Sequence, residues 1–230
     1  MEKAAASIPP AIGQKLPDRR ARRQAETRAR ILRAALELFA RQGIFSTTIK
    51  QITEAADVGK GTFFNYFPSK EHILAGFGEV QAGKVRAALE EARRGGTPLR
   101  QIWHNLWREL AREPARSPRL LRSLIVVNLS SAEVGRVAGQ NLARGRQELA
   151  HLIVEAQQRG EMRPELKPAQ VARVFQQTLL GTMLLSALDP SVPLPSWLDA
   201  TFEFFWSSVA NEGPTKSRRP PAHHPWRSSR

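Results

Sequence analysis

Residues 47–70 constrain the fold more than any other segment, because they encode two short helices around a tight turn. Thr48 is a hydroxyl N-cap for the first of these helices. Asp57-Val58-Gly59 then supplies residues that tolerate the left-handed backbone of a sharp corner. A second helix follows from Lys60 to about Phe67 and ends before Pro68. The first helix carries apolar residues at helical spacing, namely Ile49, Ile52, Ala55 and Ala56. The segment therefore predicts a helix-turn-helix.

The polar residues of the second helix are of the kind that contact DNA. Thr62, Asn65 and Tyr66 can donate hydrogen bonds to phosphates or to base edges. Lys60 begins this helix and can either read guanine or neutralise a phosphate, and both roles stay open. Phe63 and Phe67 are expected in the core, because a short helix must bury apolar side chains to stay attached.

Together with residues 28–43, this motif resembles the TetR family of bacterial transcriptional regulators. Residues 28–43 form an amphipathic helix that Gly43 closes, with Ile31, Ala35, Leu38 and Phe39 on one face. The resemblance is specific over residues 26–75 and architectural beyond them. It implies an all-α fold in which an N-terminal three-helix helix-turn-helix domain precedes a helical ligand-binding and dimerisation domain. It also implies a homodimer on double-stranded operator DNA.

The resemblance also marks positions expected to contact DNA. Thr62, Asn65 and Tyr66 match exposed positions of the family's recognition helix, and Lys70 matches a position that commonly holds phosphate. Phe64 stands where the family commonly has tyrosine, so a phosphate hydrogen bond is lost while contact with a thymine methyl remains possible. Thr48 and Lys50 are expected to position the protein rather than to specify sequence. The predicted DNA-binding residues are Thr48, Lys50, Lys60, Gly61, Thr62, Phe64, Asn65, Tyr66 and Lys70.

Proline and glycine divide the rest of the chain into segments of helix length. A fourth helix from Ser69 to Gly95 links the two domains, and five more are expected at 98–112, 118–130, 132–159, 167–188 and 195–209. The predicted organisation is a basic disordered arm (1–24), a helix-turn-helix domain (25–70), a helical ligand-binding and dimerisation domain (71–210) and a disordered basic tail (211–230). The arginines at 19, 20, 22 and 23 either reach into the minor groove or form a solvated run.

Charge and composition favour a polyanionic partner and exclude several other function classes. The net charge of +14 divides into +7 over residues 1–70, +3 over 71–210 and +4 over 211–230. The chain has no cysteine, so it has neither disulfides nor thiolate nucleophiles. Its five histidines lack metal-ligand spacing, and it has no glycine-rich phosphate loop. We therefore expect no enzyme activity, metal or cofactor.

Two features of the sequence bear on location and assembly. The longest apolar stretch, residues 178–188, is shorter than the ~20 residues of a membrane-spanning helix, and the N-terminus is not a secretory signal. The sequence therefore predicts a cytoplasmic protein. The last two helices are apolar on several faces, which favours a four-helix interface with a second copy.

A small-molecule site is suggested by polar residues set among apolar and aromatic ones. Trp103 and Trp107 are four residues apart and share one helical face. The residues predicted to line an inducer site are Trp103, Trp107, Asn128, Phe175 and Gln176, for a small apolar or amphipathic ligand. The alternative for the tryptophans is ordinary core or a dimer contact. The function expected is a repressor that its ligand releases from a near-palindromic operator, and the alternative is a constitutive dimeric DNA-organising protein without an inducer.

Overall fold

The computed structural model describes residues 19–189 and 194–211, and over these residues the fold is all-α, as the sequence predicts. A short 3-10 helix, Pro114–Arg116, separates two of the α-helices, and Met162 and Ala210 form an isolated antiparallel bridge. The α-helices are α1 (Arg19–Gln42), α2 (Ile49–Ala55), α3 (Lys60–Tyr66), α4 (Lys70–Arg94), α5 (Leu99–Arg112), α6 (Pro118–Ser130), α7 (Ala132–Gln158), α8 (Pro168–Leu188) and α9 (Leu194–Val209).

The first helix begins earlier than the sequence indicates. Residues 19–24 were predicted to belong to a disordered arm, but α1 already starts at Arg19. The arginines there are exposed and arginine has high helix propensity, so the helix extends without an apolar face of its own. The rest of the predicted arm, residues 1–18, and the predicted tail from residue 212 lie outside the described residues.

The helix-turn-helix is not a separate globule, because its core continues into the rest of the chain. Side chains of α1 to α3 pack with Ile73, Leu74 and Phe77 of α4, and also with Leu120 of α6 and Val134 of α7. The core of the helix-turn-helix therefore extends beyond the predicted boundary at residues 70–71. A second core, formed mainly by α4, α5, α7, α8 and α9, begins on α4 at Val85. As predicted, α4 links the two parts, with its first turns in one core and its last turns in the other.

The N-terminal end of α6 caps the C-terminal end of α1. The Ser117 hydroxyl donates to the Ala40 carbonyl at 2.7 Å, and Arg119 Nη1 donates to the Arg41 carbonyl at 2.6 Å. The Ser123 hydroxyl accepts from the Ile44 amide at 3.2 Å. The last carbonyls of a helix have no partner within it, so these bonds satisfy groups that would otherwise need water. A displacement of α6 is thereby transmitted to α1.

Helix α8 is the most exposed apolar element among the described residues. Its exposed apolar side chains are Val174, Leu180, Leu184, Leu185 and Leu188, and the exposed Phe204 lies on α9. The helix was predicted at 167–188 and its longest apolar stretch at 178–188, but the whole of Pro168–Leu188, 21 residues, is long and apolar enough to cross a membrane. Such a helix is weak evidence for a membrane span, because core helices of soluble proteins pass the same test.

Candidate nucleic-acid interface and ligand cavity

Helix α3 separates the predicted DNA-binding residues into two groups. Lys60, Gly61, Phe64 and Asn65 are exposed and follow one another at the spacing of a single helical face. Phe63 is fully buried on the opposite face, as predicted. Thr62 and Tyr66 are half-buried, and Tyr66 packs against the N-terminal core. Fewer residues of α3 therefore face outward than the sequence predicts.

Phe67 is buried at the end of α3, as the sequence argument expected, and it anchors α3 to α1 and α4. The guanidinium of Arg28 lies 5.3 Å from the centre of the Phe67 ring and pairs with Glu79 of α4 at 2.8 Å. A cation over an aromatic face is attracted by the negative face of the ring. The short α3 is thus held by packing and by a charged bridge that joins α1 to α4.

The turn before α3 has the geometry that its sequence requires. Asp57 adopts a φ of 51°, the positive-φ conformation expected at this corner. The Asp57 amide donates to the Glu54 carbonyl at 3.2 Å, and the Val58 amide donates to the Thr53 carbonyl at 3.0 Å. These bonds close the C-terminus of α2 and fix the angle at which α3 leaves it.

At the start of α2, the hydroxyl of Thr48 has a structural role. It accepts from the Gln51 amide at 3.2 Å, while the Gln51 side chain accepts from the Thr48 amide at 2.9 Å, which forms a capping box. Lys50 is exposed, and its nearest acidic partner, Glu54, is 3.8 Å away on the same helix. An exposed pair at this distance contributes little to stability, so the Lys50 ammonium is available to another partner.

Lys70 differs from the sequence expectation, because its ammonium group is engaged inside the protein. Nζ donates to the carbonyls of Ile44 and Thr47, both at 2.8 Å. These carbonyls belong to the loop between α1 and α2, and the side chain of Gln42 also bonds this loop through the Ser46 carbonyl at 3.0 Å. Lys70 therefore holds the loop that positions α2, and no local pattern in the sequence indicates this long-range pairing. These bonds use two of the three donors of the ammonium group, and the predicted phosphate contact stays a prediction.

Gly61 and Phe45 add information about the exposed face. A Cβ built on Gly61 meets no atom of the described residues within 4 Å, and its backbone φ is not positive, so nothing in that part of the chain requires glycine there.

Phe45 is 75% exposed in the loop before α2, although an apolar residue next to Ile44 suggests a core position. Phe45 was not predicted to be exposed, because an apolar pair in a loop does not reveal which of its two side chains points outward.

A cavity of about 510 Å³ lies between α4, α6, α7 and α8. Its wall is apolar except for four side-chain amides, and none of its lining residues is charged. Of the residues predicted to bind ligand, Asn128, Phe175 and Gln176 line this cavity. The size and the predominantly apolar wall are those of small-molecule sites in proteins.

Trp103 and Trp107 do not line the cavity, which corrects the prediction for these two residues. Both are 0% exposed and pack edge-to-face on Phe175, with ring centroids 5.1 and 5.0 Å away. Trp107 Nε1 also donates to the Leu198 carbonyl of α9 at 3.0 Å. The indoles therefore belong to the aromatic core between α5, α8 and α9, the alternative that the sequence left open. Phe175 is the residue that joins this core to the cavity wall.

The polar groups elsewhere are structural in character. Over the described residues, no group of three or more His, Asp or Glu side chains is arranged to hold a metal ion. Burial lowers the pKa of Lys84 on α4, which nevertheless donates to the Glu109 carbonyl at 2.5 Å. This bond satisfies the C-terminal end of α5.

Comparison with known proteins finds similarity chiefly in the N-terminal region. The family described as bacterial regulatory proteins, tetR family, matches residues 31–76. The HTH-type transcriptional regulator TcmR of Streptomyces glaucescens is 42% identical over 84 residues, which are 36% of this chain and 37% of that protein. The chain therefore spans less than two thirds of the length of this relative.

Solved structures extend the similarity to the whole fold. A TetR-family regulator described as putative, from Syntrophomonas wolfei, aligns with a TM-score of 0.64 at 21% identity, over 84% of this chain and 99% of that one. FadR of Thermus thermophilus, a TetR-family transcriptional repressor solved in complex with lauroyl-CoA, aligns with a TM-score of 0.57 at 27% identity, over 86% of this chain and 99% of that one.

Proposed function

Because this chain belongs to the TetR family of bacterial regulatory proteins, we propose that it is a cytoplasmic, homodimeric transcriptional regulator of a near-palindromic operator. In its most specific form, the proposal is a repressor that leaves DNA when a small apolar or amphipathic ligand fills the cavity. FadR of Thermus thermophilus is described as a TetR-family transcriptional repressor in complex with lauroyl-CoA, which supports control by a ligand but not the identity of the ligand.

The exposed face of α3 supports DNA binding. Lys60 and Asn65 carry donors suited to base edges or phosphates, and Gly61 between them leaves room for close approach of a DNA backbone. Lys50 of the neighbouring α2 supplies an exposed ammonium for phosphate. Thr48 and Lys70 bond groups of the chain, and Tyr66 packs against the core, so these three help to fix the position of the contacting residues. Thr62 is half-buried beside them.

The exposed apolar face of α8 supports a homodimer. Leu185 and Leu188 are 66% and 72% exposed, and Phe204 of α9 is 67% exposed. A soluble protein rarely leaves so many apolar side chains in contact with water on one element. A second copy, packed by two-fold symmetry, covers this face and places two α3 helices on one operator, where successive major grooves are about 34 Å apart.

The observation that carries the ligand-controlled mechanism is that α4 and α6, like α7, belong both to the cavity wall and to the helix-turn-helix core. Leu74 and Phe77 of α4 line the cavity and also pack in the N-terminal core. Helix α6 lines the cavity through Leu121 and caps the end of α1 through Ser117 and Arg119. A ligand that displaces either helix therefore moves the domain that carries α3, and in a dimer this changes the separation of the two recognition helices.

The test combines selection of the operator with ligand binding. DNA selected from a random pool by the full chain should contain two related half-sites one helical turn apart, and Lys60→Ala should weaken binding to it by ~1–3 kcal/mol if Lys60 reads guanine. The exposed variant Lys50→Ala should instead weaken all DNA equally and reduce the salt slope by about one unit.

The ligand-binding measurement decides between a repressor that ligand releases from DNA and a constitutive DNA-organising dimer. A compound that fills the cavity should weaken operator affinity by a coupling of ~1–3 kcal/mol, and operator should weaken binding of the compound by the same factor. Cavity binding without any effect on operator affinity would leave the constitutive dimer as the function.

A further inference from the structure

We infer that the cavity selects a neutral, lipophilic molecule that bears a hydrogen-bond donor, such as an alcohol, over a carboxylate or an acyl-CoA. This inference rests on the proposed function, since it names the class of ligand for the same cavity. It follows from how the four amide side chains in the wall are already bonded.

In each of these amides the nitrogen is engaged by a main-chain carbonyl. Gln81 Nε2 donates to the Leu110 carbonyl at 2.6 Å, and Asn128 Nδ2 donates to the Leu124 carbonyl at 2.6 Å. Asn141 Nδ2 donates to the Ala75 carbonyl at 2.9 Å, and Gln176 Nε2 donates to the Leu142 carbonyl at 3.0 Å. Because a carbonyl can only accept, these bonds fix which end of each amide is nitrogen. Each bond uses one of the two N–H groups of its amide, so the donors of the wall are in part committed to the protein backbone.

Two amide oxygens are left without a partner. Gln81 Oε1 and Asn128 Oδ1 are buried and accept no hydrogen bond within the described structure. A buried acceptor that has lost water without gaining a donor is destabilising, so a ligand hydroxyl that reaches either oxygen after a small movement of its side chain gains stability that an ether or a ketone cannot gain. Gln176 differs, because its Oε1 accepts from Arg146 Nη1 at 3.2 Å.

The absence of charge in the wall disfavours anions. None of the residues that line the cavity is lysine, arginine or histidine, and Arg146, which bonds Gln176 Oε1, is not among them. A carboxylate in an apolar site needs a cation or several donors to offset lost hydration. Here it would face two acceptor oxygens instead, which adds repulsion to desolvation.

The experiment compares three compounds that share one carbon chain: dodecanol, its methyl ether and dodecanoate. Binding to the purified full chain without DNA is measured by isothermal titration calorimetry, with lauroyl-CoA as a fourth compound. A fused-ring alcohol and its methyl ether repeat the comparison, because the wall defines polarity and not shape. The alcohol should bind about tenfold tighter than the ether, and dodecanoate and lauroyl-CoA should bind more weakly than either.

Three variants assign this preference to the two oxygens. Gln81→Met and Asn128→Leu remove the unpartnered acceptors with little change in volume, and at least one of them should bring the ratio of alcohol to ether affinity close to one. Gln176→Met is the matched control, since it removes an amide whose oxygen already has a partner, and it should preserve the ratio. Circular dichroism confirms that each variant is folded, and the affinity for the ether provides an internal measure of an intact cavity.

The outcomes separate this inference from the proposed function. Equal affinity for alcohol and ether in the unmodified protein, with both skeletons, would overturn it. So would a preference for dodecanoate or lauroyl-CoA, above all one that Arg146→Gln removes. In those cases the cavity remains a ligand site of another class. If no compound of either skeleton binds, both this inference and the ligand-controlled function fail. Operator release, measured separately, tests only the function.

Discussion

Lys70 shows how a charged residue that resembles a DNA contact can instead determine the position of the contacts. Its two bonds to the Ile44 and Thr47 carbonyls hold the loop from which α2 starts. Hydrogen bonds from a charged donor are worth more than neutral ones, about 1.5–3 kcal/mol. Lys70→Met should therefore lower the free energy of unfolding by about that amount, measured by urea denaturation, and should weaken binding to every DNA sequence.

The control for this change is Lys50→Met. Lys50 is 85% exposed and its only nearby acidic group is an exposed glutamate, so the free energy of unfolding should not change beyond a few tenths of a kcal/mol. Unchanged stability of Lys70→Met, combined with a smaller salt slope on DNA, would show that Lys70 contacts phosphate after all.

Replacement of Gly61 is expected to change the stability of the fold and the affinity for operator in opposite directions. Glycine within a helix costs about 0.5–1 kcal/mol relative to alanine, and no atom of the described residues contacts an added Cβ at this position. Gly61→Ala should therefore raise the free energy of unfolding by up to that amount while it weakens operator binding by about 1 kcal/mol or more. An alanine variant that binds operator normally would show that DNA does not approach this face closely.

At the scale of the helix, α5 illustrates why an aromatic face can be predicted while its partner cannot. The spacing of Trp103 and Trp107 correctly indicated one apolar face, but it did not indicate whether a ligand or the chain covers that face. The answer depends on α9, whose Phe202 and Phe205 pack against these indoles. Contacts between residues 100 positions apart leave no local pattern in the sequence.

Trp103→Ala tests the corrected assignment. A fully buried tryptophan replaced by alanine leaves a cavity, which costs about 3–5 kcal/mol. The variant should therefore be strongly destabilised in thermal or urea denaturation, which differs from the behaviour expected of a ligand contact. Phe45→Ala, at a 75% exposed aromatic residue, should change stability by less than about 0.5 kcal/mol. A normally stable Trp103→Ala protein that fails to bind ligand would restore Trp103 to the ligand site.

Helix positions themselves were largely accessible from sequence, because caps and breakers are local. Ser69 caps α4, which was predicted to begin there, and Ser117 caps α6 just before its predicted start at residue 118. Gly95 has the positive φ of 76° that ends α4. The start of α1 was predicted too late, because arginines without an apolar stripe resemble a solvated run. The 3-10 turn at Pro114–Arg116 was not predicted, since three residues carry no periodicity.

At the scale of the whole molecule, the two domains are joined by shared core rather than by a linker. The Asn141 amide of α7 donates to the Ala75 carbonyl of α4, and Gly78 of α4 faces Asn141 so closely that a Cβ there would lie 2.8 Å from its nitrogen. Such packing makes α4 and α7 move together. Some residues of the cavity wall could be predicted from the sequence. The close contact between α4 and α7 could not, because it depends on how closely the two helices approach.

The proposed binding of two half-sites by two α3 helices depends on the dimer. Leu185 is 66% exposed on α8 and does not line the cavity, so Leu185→Asp changes the exposed apolar face without changing the ligand site. A carboxylate placed in an apolar interface loses hydration without a partner, and each dimer contains two copies of the change. The dissociation constant of the dimer, measured by sedimentation equilibrium, should rise by about a hundredfold or more.

Operator affinity should fall with dimerisation, because a single α3 reads only one half-site. Asn105→Asp is the control, since it adds the same charge at an exposed position of α5 and should leave both dimer and operator affinity unchanged. Cavity binding of dodecanol should persist in monomeric Leu185→Asp if the cavity belongs to one chain. A fully dimeric Leu185→Asp protein with normal operator affinity would place the interface on another surface and leave the apolar face of α8 without an assigned partner.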